Sequence, residues 1–223
     1  MTAMSDRAPG TTRFPAGVYG VTPEWDDTDR LAEAVRAAAR GGMRALQLRR
    51  KTAPAGLLRR QAGTLATLCR ELGVVFIVND DWRLALEIGA DGAHLGRDDG
   101  ALEAARQAAG AGLILGSSCY DDLARAQAML AAGADYIAFG AVYPSSSKPQ
   151  AVRAPLALLA QARGLVDALP QPRPSVVAIG GISPANAAAV VQAGAESLAM
   201  ISGLFDAPDI EAAARSCLPL FSS

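Results

Sequence analysis

Several groups of side chains stand out by type and spacing. Gln47, Arg49 and Lys51 alternate along the end of one short apolar run. In an extended strand, residues i, i+2 and i+4 share a face, so the three project together. An amide can donate to and accept from a heterocycle, and two cations can hold phosphate oxygens. A solvated charge run closing a strand has the same sequence. Asp80 and Asp99 each follow an apolar run, in neighbouring units. Two carboxylates completed by water and phosphate oxygens suit Mg2+, which rarely takes an all-protein cage. Aspartate is also a good helix N-cap, and Asp81 and Asp98 are the better candidates for that task. Ser145, Ser146, Ser147 and Lys148 offer hydroxyls and an ammonium to an anion, or form a plain polar loop. Gly180 with Gly181, and Ile201 with Ser202 and Gly203, read as backbone cradles for phosphate or as ordinary tight turns.

Activated nucleophiles are harder to find. His94 is the one histidine and lies inside an apolar run, where a structural role is expected. Cys119 follows a serine pair with no activating histidine in its segment. Trp25, Trp82 and Tyr143 are expected to pack.

The polar groups lie far apart in the chain, so a scaffold must gather them. Short apolar runs recur at 18–22, 45–49, 74–78, 92–95, 113–116, 136–139, 176–179 and 197–201. Alanine-rich stretches of helical period follow at 27–40, 54–72, 82–88, 100–109, 121–132, 155–168, 184–193 and 209–217. The runs lack polar alternation, as strands do when both faces are covered. Gly89, Ala90 and Asp91 are echoed by Gly133, Ala134 and Asp135 and by Gly194, Ala195 and Glu196, each between a helix and the next strand. Evenly spaced βα units with no linker predict an α/β protein with a single (β/α)8 TIM barrel over 14–223, an open doubly wound sheet being the alternative. The polar clusters then fall at the C-terminal strand ends, where such barrels do chemistry. Residues 1–13 read as a flexible tail without the apolar core of a signal peptide.

Composition narrows the functions. The chain has 21 Lys and Arg against 22 Asp and Glu, a net charge of −1, so a broad basic surface for nucleic acid is excluded. No apolar run approaches the ~18 residues of a membrane span. Cys69, Cys119 and Cys217 are widely spaced, form no zinc motif and fit a reducing, cytoplasmic setting. The sequence leaves the oligomeric state open, a homo-oligomer included.

Taken in order, the segments Gln47 to Lys51, Asn79-Asp80, Ala90 to Gly96, Gly116 to Ser118, Ala134 to Tyr136, Pro144 to Lys148, Ala178 to Ile182 and Met200 to Ser202 resemble the thiamine phosphate synthase family over nearly the whole chain. The resemblance implies a transferase. It would join 4-amino-5-hydroxymethyl-2-methylpyrimidine diphosphate to 4-methyl-5-(2-phosphooxyethyl)thiazole, with Mg2+, and release diphosphate. It assigns Gln47, Arg49, Lys51, Asn79, Ser118 and Lys148 to the pyrimidine diphosphate, with Arg49, Lys51, Lys148 and Ser118 assisting its departure. Asp80 and Asp99 would bind the metal. Ser145, Ser146, Ser147, Gly181, Ile201 and Ser202 would hold the thiazole phosphate. Arg97 stands where the family commonly has Gln, and Ser145 and Ser147 where Thr is frequent. Two other readings share the fold, a thiazole tautomerase and a non-catalytic thiamine phosphate sensor. Asp80, Asp99, Lys51 and Lys148 weigh against both.

Overall fold

In the computed structural model, which describes residues 12–97, 102–144 and 152–222, each expected run forms a parallel strand. The strands are β1 (Gly17–Val21), β2 (Ala45–Leu48), β3 (Val75–Asn79), β4 (Gly92–Leu95), β5 (Ile114–Tyr120), β6 (Tyr136–Phe139), β7 (Ser175–Ile179) and β8 (Ser197–Met200). They hydrogen-bond in sequence order, and β8 pairs with β1, so the sheet closes. Closure removes the doubly wound alternative and establishes the (β/α)8 barrel.

Helices α1 (Thr28–Arg40), α2 (Ala55–Leu72), α3 (Trp82–Ile88), α4 (Leu102–Ala109), α5 (Leu123–Ala131), α6 (Leu156–Asp167) and α7 (Ala187–Gln192) connect successive strands. Helices α8 (Ser202–Phe205) and α9 (Ile210–Ser216) follow β8. Asp27, Asp81, Asp122 and Asp209 cap α1, α3, α5 and α9, each side chain accepting a backbone N–H three residues on. Helix α8, only 4 residues long, was not expected; so short a turn carries no period to read. Strand β5 also runs further than its apolar run. Ser117 and Ser118 belong to it, and its register with β6 shifts between Ser118 and Tyr120. Backbone pairing holds this stretch extended after the apolar signal has stopped.

Side chains on the two faces of the barrel wall form separate cores. Leu46, Leu48, Phe76 and Val78 face outward and pack with Leu31, Leu65 and Leu159 of the helices. Tyr19, Ala45, Val75, Ile77, Tyr136, Ala138, Val177 and Ala199 fill the interior. The large interior residues need small neighbours. A Cβ on Gly116 would lie 1.9 Å from the Tyr136 ring, so only glycine leaves room for that phenol.

The repeated Gly-Ala-acid tripeptides have a mechanical role. The carboxylates of Asp91, Asp135 and Glu196 accept the backbone N–H of Phe76, Leu115 and Val176 at 2.7, 2.8 and 3.1 Å. Each acidic residue thereby pins the strand beside the one it introduces. Arginines surround two of them: Arg13 and Arg106 pair with Asp135, and Arg173 with Glu196.

Arg13 lies within the segment expected to be a free tail, and Thr12 and Arg13 correct that boundary. Thr12 bridges to Arg173, and Arg13 donates its backbone N–H to Arg173 O at 3.0 Å and its guanidinium to Asp135. Residues 1–11 lie outside the described residues. Phe14 then enters the barrel floor, wholly buried, 4.9 Å from the Tyr19 ring and 4.3 Å from the Tyr136 ring.

Replacing a buried aromatic by alanine removes its transfer energy and leaves a cavity. Phe14→Ala should therefore lower the unfolding free energy by about 3–5 kcal/mol in urea titration. A loss within about 0.5 kcal/mol, usual for surface positions, would show that the plug does not support the barrel.

Candidate active site

A cavity of about 600 Å³ opens at the C-terminal mouth of the barrel. Every strand contributes to its wall: Tyr19, Gln47, Asn79, His94, Ser118, Ala138, Ile179 and Ala199, in strand order. All are inward positions under the alternation that separates the two cores.

The alternation expected after β2 is observed. Gln47, Arg49 and Lys51 line the cavity. Arg50 turns the other way, with its side chain only 1% exposed. It donates to Glu24 at 3.2 Å, to Gln61 at 2.8 Å, and to Asp26 and the Trp25 carbonyl. Neighbouring arginines thus differ completely in task. The segment is held from β1's side. The Arg49 N–H donates to Thr22 Oγ1 at 2.9 Å, and Thr22 Oγ1 donates back to the Arg49 carbonyl at 3.2 Å. Glu24 accepts the Lys51 N–H at 2.8 Å. Burial alone would raise the Glu24 pKa, but the Lys51 N–H and Arg50 outweigh it and hold the carboxyl below its ordinary range.

Asn79 and Asp80 end β3 beside this segment. Asp80 has φ 66°, which turns the chain sharply at the rim, and its carboxylate meets Lys51 Nζ at 2.8 Å. The capping alternative falls to its neighbour: Asp81, not Asp80, accepts the Leu84 N–H of α3. Asp80 therefore keeps its carboxylate at the cavity.

Ser118 lines the cavity on the next wall. Arg125 fixes it by donating to the Ser118 carbonyl at 2.7 Å and to the Gly96 carbonyl at 3.2 Å. Arg97 lies 5.1 Å over the Tyr120 ring, on the rim. Gly181, Ile201 and Ser202 line the far side. Gly181 has φ 61°, and a Cβ there would lie 2.3 Å from the Pro144 carbonyl, so the turn demands glycine.

The structure thus gathers Gln47, Arg49, Lys51, Asn79, Asp80, Ser118, Gly181, Ile201 and Ser202 around one space. Asp99, Ser145, Ser146, Ser147 and Lys148 lie outside the described residues. Trp25, Trp82 and Tyr143 pack against the outer core, as expected. Cys119 is fully buried, and burial pushes its thiol up to about 12, so it stays protonated near neutrality. The tyrosines and histidine of the cavity floor were not assigned to the site from sequence. By sequence His94 reads as structural and Tyr19 lies within an apolar run; strand parity is the signal that places both inward.

Among the described residues no cluster of three or more His, Cys, Asp or Glu converges on a metal position, and no helix is long and apolar enough to cross a membrane.

A closed (β/α)8 barrel with cations, an amide and a hydroxyl around one cavity at its C-terminal mouth defines a barrel enzyme acting on small molecules. Comparison with known proteins makes this specific. The family model for thiamine monophosphate synthase matches residues 18–204. A thiamine-phosphate synthase of Bordetella pertussis (strain Tohama I) is 68% identical over 212 residues, covering 95% of this chain and 98% of the relative. A thiamine-phosphate synthase of Chromobacterium violaceum is 52% identical over 207 residues, 93% of this chain and 97% of the relative. Among solved structures, thiamine phosphate pyrophosphorylase from Pyrococcus furiosus superposes with a TM-score of 0.77 at 32% identity, covering 92% of this chain and 95% of its own. The chain belongs to the thiamine monophosphate synthase family and is a transferase of thiamine biosynthesis.

The opposite orientations of Arg49 and Arg50 give a direct test. Arg50→Ala should lower stability by about 1.5–3 kcal/mol, the range for hydrogen bonds to charged groups. Arg49→Ala should stay within about 0.5 kcal/mol of the parent and instead lose turnover. Urea titration beside a product assay separates the two; equal effects on stability would contradict the assigned faces.

Proposed function

We propose that the barrel condenses 4-amino-5-hydroxymethyl-2-methylpyrimidine diphosphate with 4-methyl-5-(2-phosphooxyethyl)thiazole to thiamine phosphate and diphosphate. Family membership supports the overall reaction. The single observation that carries the residue assignment is the placing of Gln47, Arg49, Lys51, Asn79, Asp80 and Ser118 on one side of the cavity, with Gly181, Ile201 and Ser202 on the other. One side suits a heterocycle bearing a diphosphate, and the other a monophosphate.

The Gln47 and Asn79 amides can read the aminopyrimidine, since each offers both a donor and an acceptor. Arg49 presents a planar fork to the diphosphate, and Lys51 adds a point charge beside it. Lys148, which follows β6 in the sequence, would add another. Gly181, Ile201 and Ser202, with Ser145, Ser146 and Ser147, would hold the thiazole phosphate through backbone N–H groups and hydroxyls.

The reaction breaks the bond between the pyrimidine methylene carbon and the diphosphate oxygen, which keeps the electron pair. The pyrimidine nitrogens stabilise the resulting cation, and the thiazole nitrogen lone pair then forms the new C–N bond. Arg49, Lys51 and Lys148 counter the negative charge growing on the leaving group, with Ser118 donating to it. No proton must leave during bond formation, so the absence of a thiolate at Cys119 is no obstacle. The walls position both partners and keep water from the cation.

The donors present fit Mg2+. Asp80 offers a hard oxygen ligand at the rim, released from capping by Asp81, and Asp99 would supply the second. When bound, the metal would neutralise diphosphate charge. Asp80 pairs with Lys51, so the carboxylate proposed for the metal and the ammonium proposed for the diphosphate meet at one corner of the cavity. We place the enzyme in the cytoplasm, with small molecules as its partners.

Purified protein mixed with both substrates should form thiamine phosphate and diphosphate only when Mg2+ is added. Thiazole isomerisation without diphosphate release would instead support the tautomerase reading, and binding without turnover the sensor. Lys51→Ala should cost roughly 100-fold in turnover, comparable to losing one charge-stabilising donor. Asp99→Asn should lower turnover severely and shift the Mg2+ titration to higher concentration. An unchanged titration would remove Asp99 from the metal site.

A further inference from the structure

The cavity floor contains a continuous line of side-chain hydrogen bonds that the reaction above does not call upon. Gln47 Nε2 donates to Tyr19 Oη at 2.7 Å. The Tyr19 and Tyr136 hydroxyls are 2.9 Å apart. Tyr136 Oη lies 3.0 Å from His94 Nδ1, and His94 Nε2 lies 2.8 Å from Ser118 Oγ. Most of the line is buried: Tyr19, Tyr136 and His94 are 2%, 0% and 8% exposed, and it reaches the open cavity at Ser118. The His94 ring also stacks on Tyr136, with centroids 5.5 Å apart and planes at 21°. Gly116 makes the room for this arrangement, and Phe14 backs it from below.

Each hydroxyl has one hydrogen to place, and a buried hydrogen without an acceptor is costly. Gln47 uses an amide hydrogen on Tyr19, so the Tyr19 oxygen accepts there. The hydrogen of Tyr19 then goes to the Tyr136 oxygen, and that of Tyr136 goes to His94 Nδ1. An Nδ1 that accepts carries no hydrogen, so the neutral ring carries it on Nε2 and donates to Ser118 Oγ. Burial raises the pKa of both phenols, which keeps both hydrogens in place.

We propose that Gln47, Tyr19 and Tyr136 fix the tautomer of His94, and that His94 in turn fixes the direction of the Ser118 hydroxyl. Ser118 Oγ accepts from within the wall, and its hydrogen is left to point into the cavity. A serine hydroxyl ordinarily donates or accepts with equal ease. Held this way it favours an acceptor, above all an ionised phosphate oxygen, over a donor-only group such as an ammonium. Tyr19, Tyr136 and His94 are positioning residues; Ser118 is the group that touches the substrate. The consequence for turnover rests on the reaction proposed above, whereas the tautomer does not.

His94 is the sole histidine, so protein labelled with 15N-histidine gives one pair of ring nitrogens. Long-range proton–nitrogen correlation in mildly alkaline buffer should show a bare Nδ1 and a protonated Nε2 in the unliganded parent. Turning the Gln47 amide over would reverse every bond in the line; a protonated Nδ1 would therefore overturn the proposal. Tyr136→Phe, which removes one oxygen, should shift the ring toward a tautomer mixture, and an unshifted spectrum would also overturn it. In turnover, Ser118→Ala and Tyr136→Phe should each lose about 10-fold, as expected for one hydrogen bond to a charged group. The double variant should lose little more than either alone, because both act through one hydroxyl. Fully multiplied losses would show that Tyr136 acts by packing alone. His94→Gln, whose distal amide can stand in for Nε2–H, should retain more turnover than the shorter His94→Asn; the reverse order counts against the line. A parent with a protonated Nε2 but no synthase activity would refute the reaction while leaving the tautomer assignment intact.

Discussion

Closing a parallel sheet on itself obliges alternate residues of every strand to meet in one small space. In this protein that constraint sets nearly everything else. Low in the barrel the inward positions must fill volume, and two tyrosines do so among alanines, valines, Ile77 and a glycine, with Phe14 entering from before β1. One layer higher they must leave volume, and the same parity delivers Gln47, Asn79, His94 and Ser118 to the cavity wall. The tyrosines serve both layers, since their rings pack downward while their hydroxyls meet the polar side chains above. Shifting any strand by one residue would exchange its core face for its cavity face.

The two ends of the barrel use charge differently. At the N-terminal end, Asp91, Asp135 and Glu196 accept backbone N–H groups of neighbouring strands, and arginines pair with the last two. Asp135 and Glu196 thus hold several partners each, and all three carboxylates serve cohesion. At the mouth, Arg49 and Lys51 make fewer contacts and face open space; Arg49 is 3.8 Å from Glu24. Thr22 and Glu24 hold the backbone of that segment while leaving its cationic heads on the cavity side. Main-chain anchoring orients both cations toward the cavity, where Lys51 pairs with Asp80 and Arg49 lies near Glu24, an arrangement that suits a site for anionic ligands.

Much of this organisation was legible in the sequence because strand alternation and barrel polarity are local rules. The run after Leu46 shows it: spacing alone placed Gln47, Arg49 and Lys51 together, and the structure sends Arg50 the opposite way. Asp81 was the better cap candidate in the sequence and does cap α3, whereas the left-handed backbone at Asp80 was not legible, because no neighbouring glycine announces it. The extent of β5 was hidden for a related reason. Ser117 and Ser118 carry no apolar signal, and only pairing with β6 keeps them extended. The link between Tyr19 and Tyr136 was hidden by distance, since 117 positions separate the two hydroxyls. Asp99 and Lys148 were singled out from sequence and stay proposals at the site.

The short stretch entering the barrel floor has a bearing on how the circle is completed. Neighbouring strands elsewhere are joined by one helix, but β8 must find β1 across almost the whole chain, the most demanding loop closure in the molecule. Around that seam lie the bridge of Thr12 to Arg173, the Ser175 hydroxyl on the Phe14 carbonyl at 2.8 Å and the Ser197 hydroxyl on the Pro15 carbonyl at 2.6 Å. Residues 12–15 thus work as a latch across β7, β8 and β1. Residues that precede the first strand become partners of the seventh and eighth, so the ring can lock only after both of those have been synthesised.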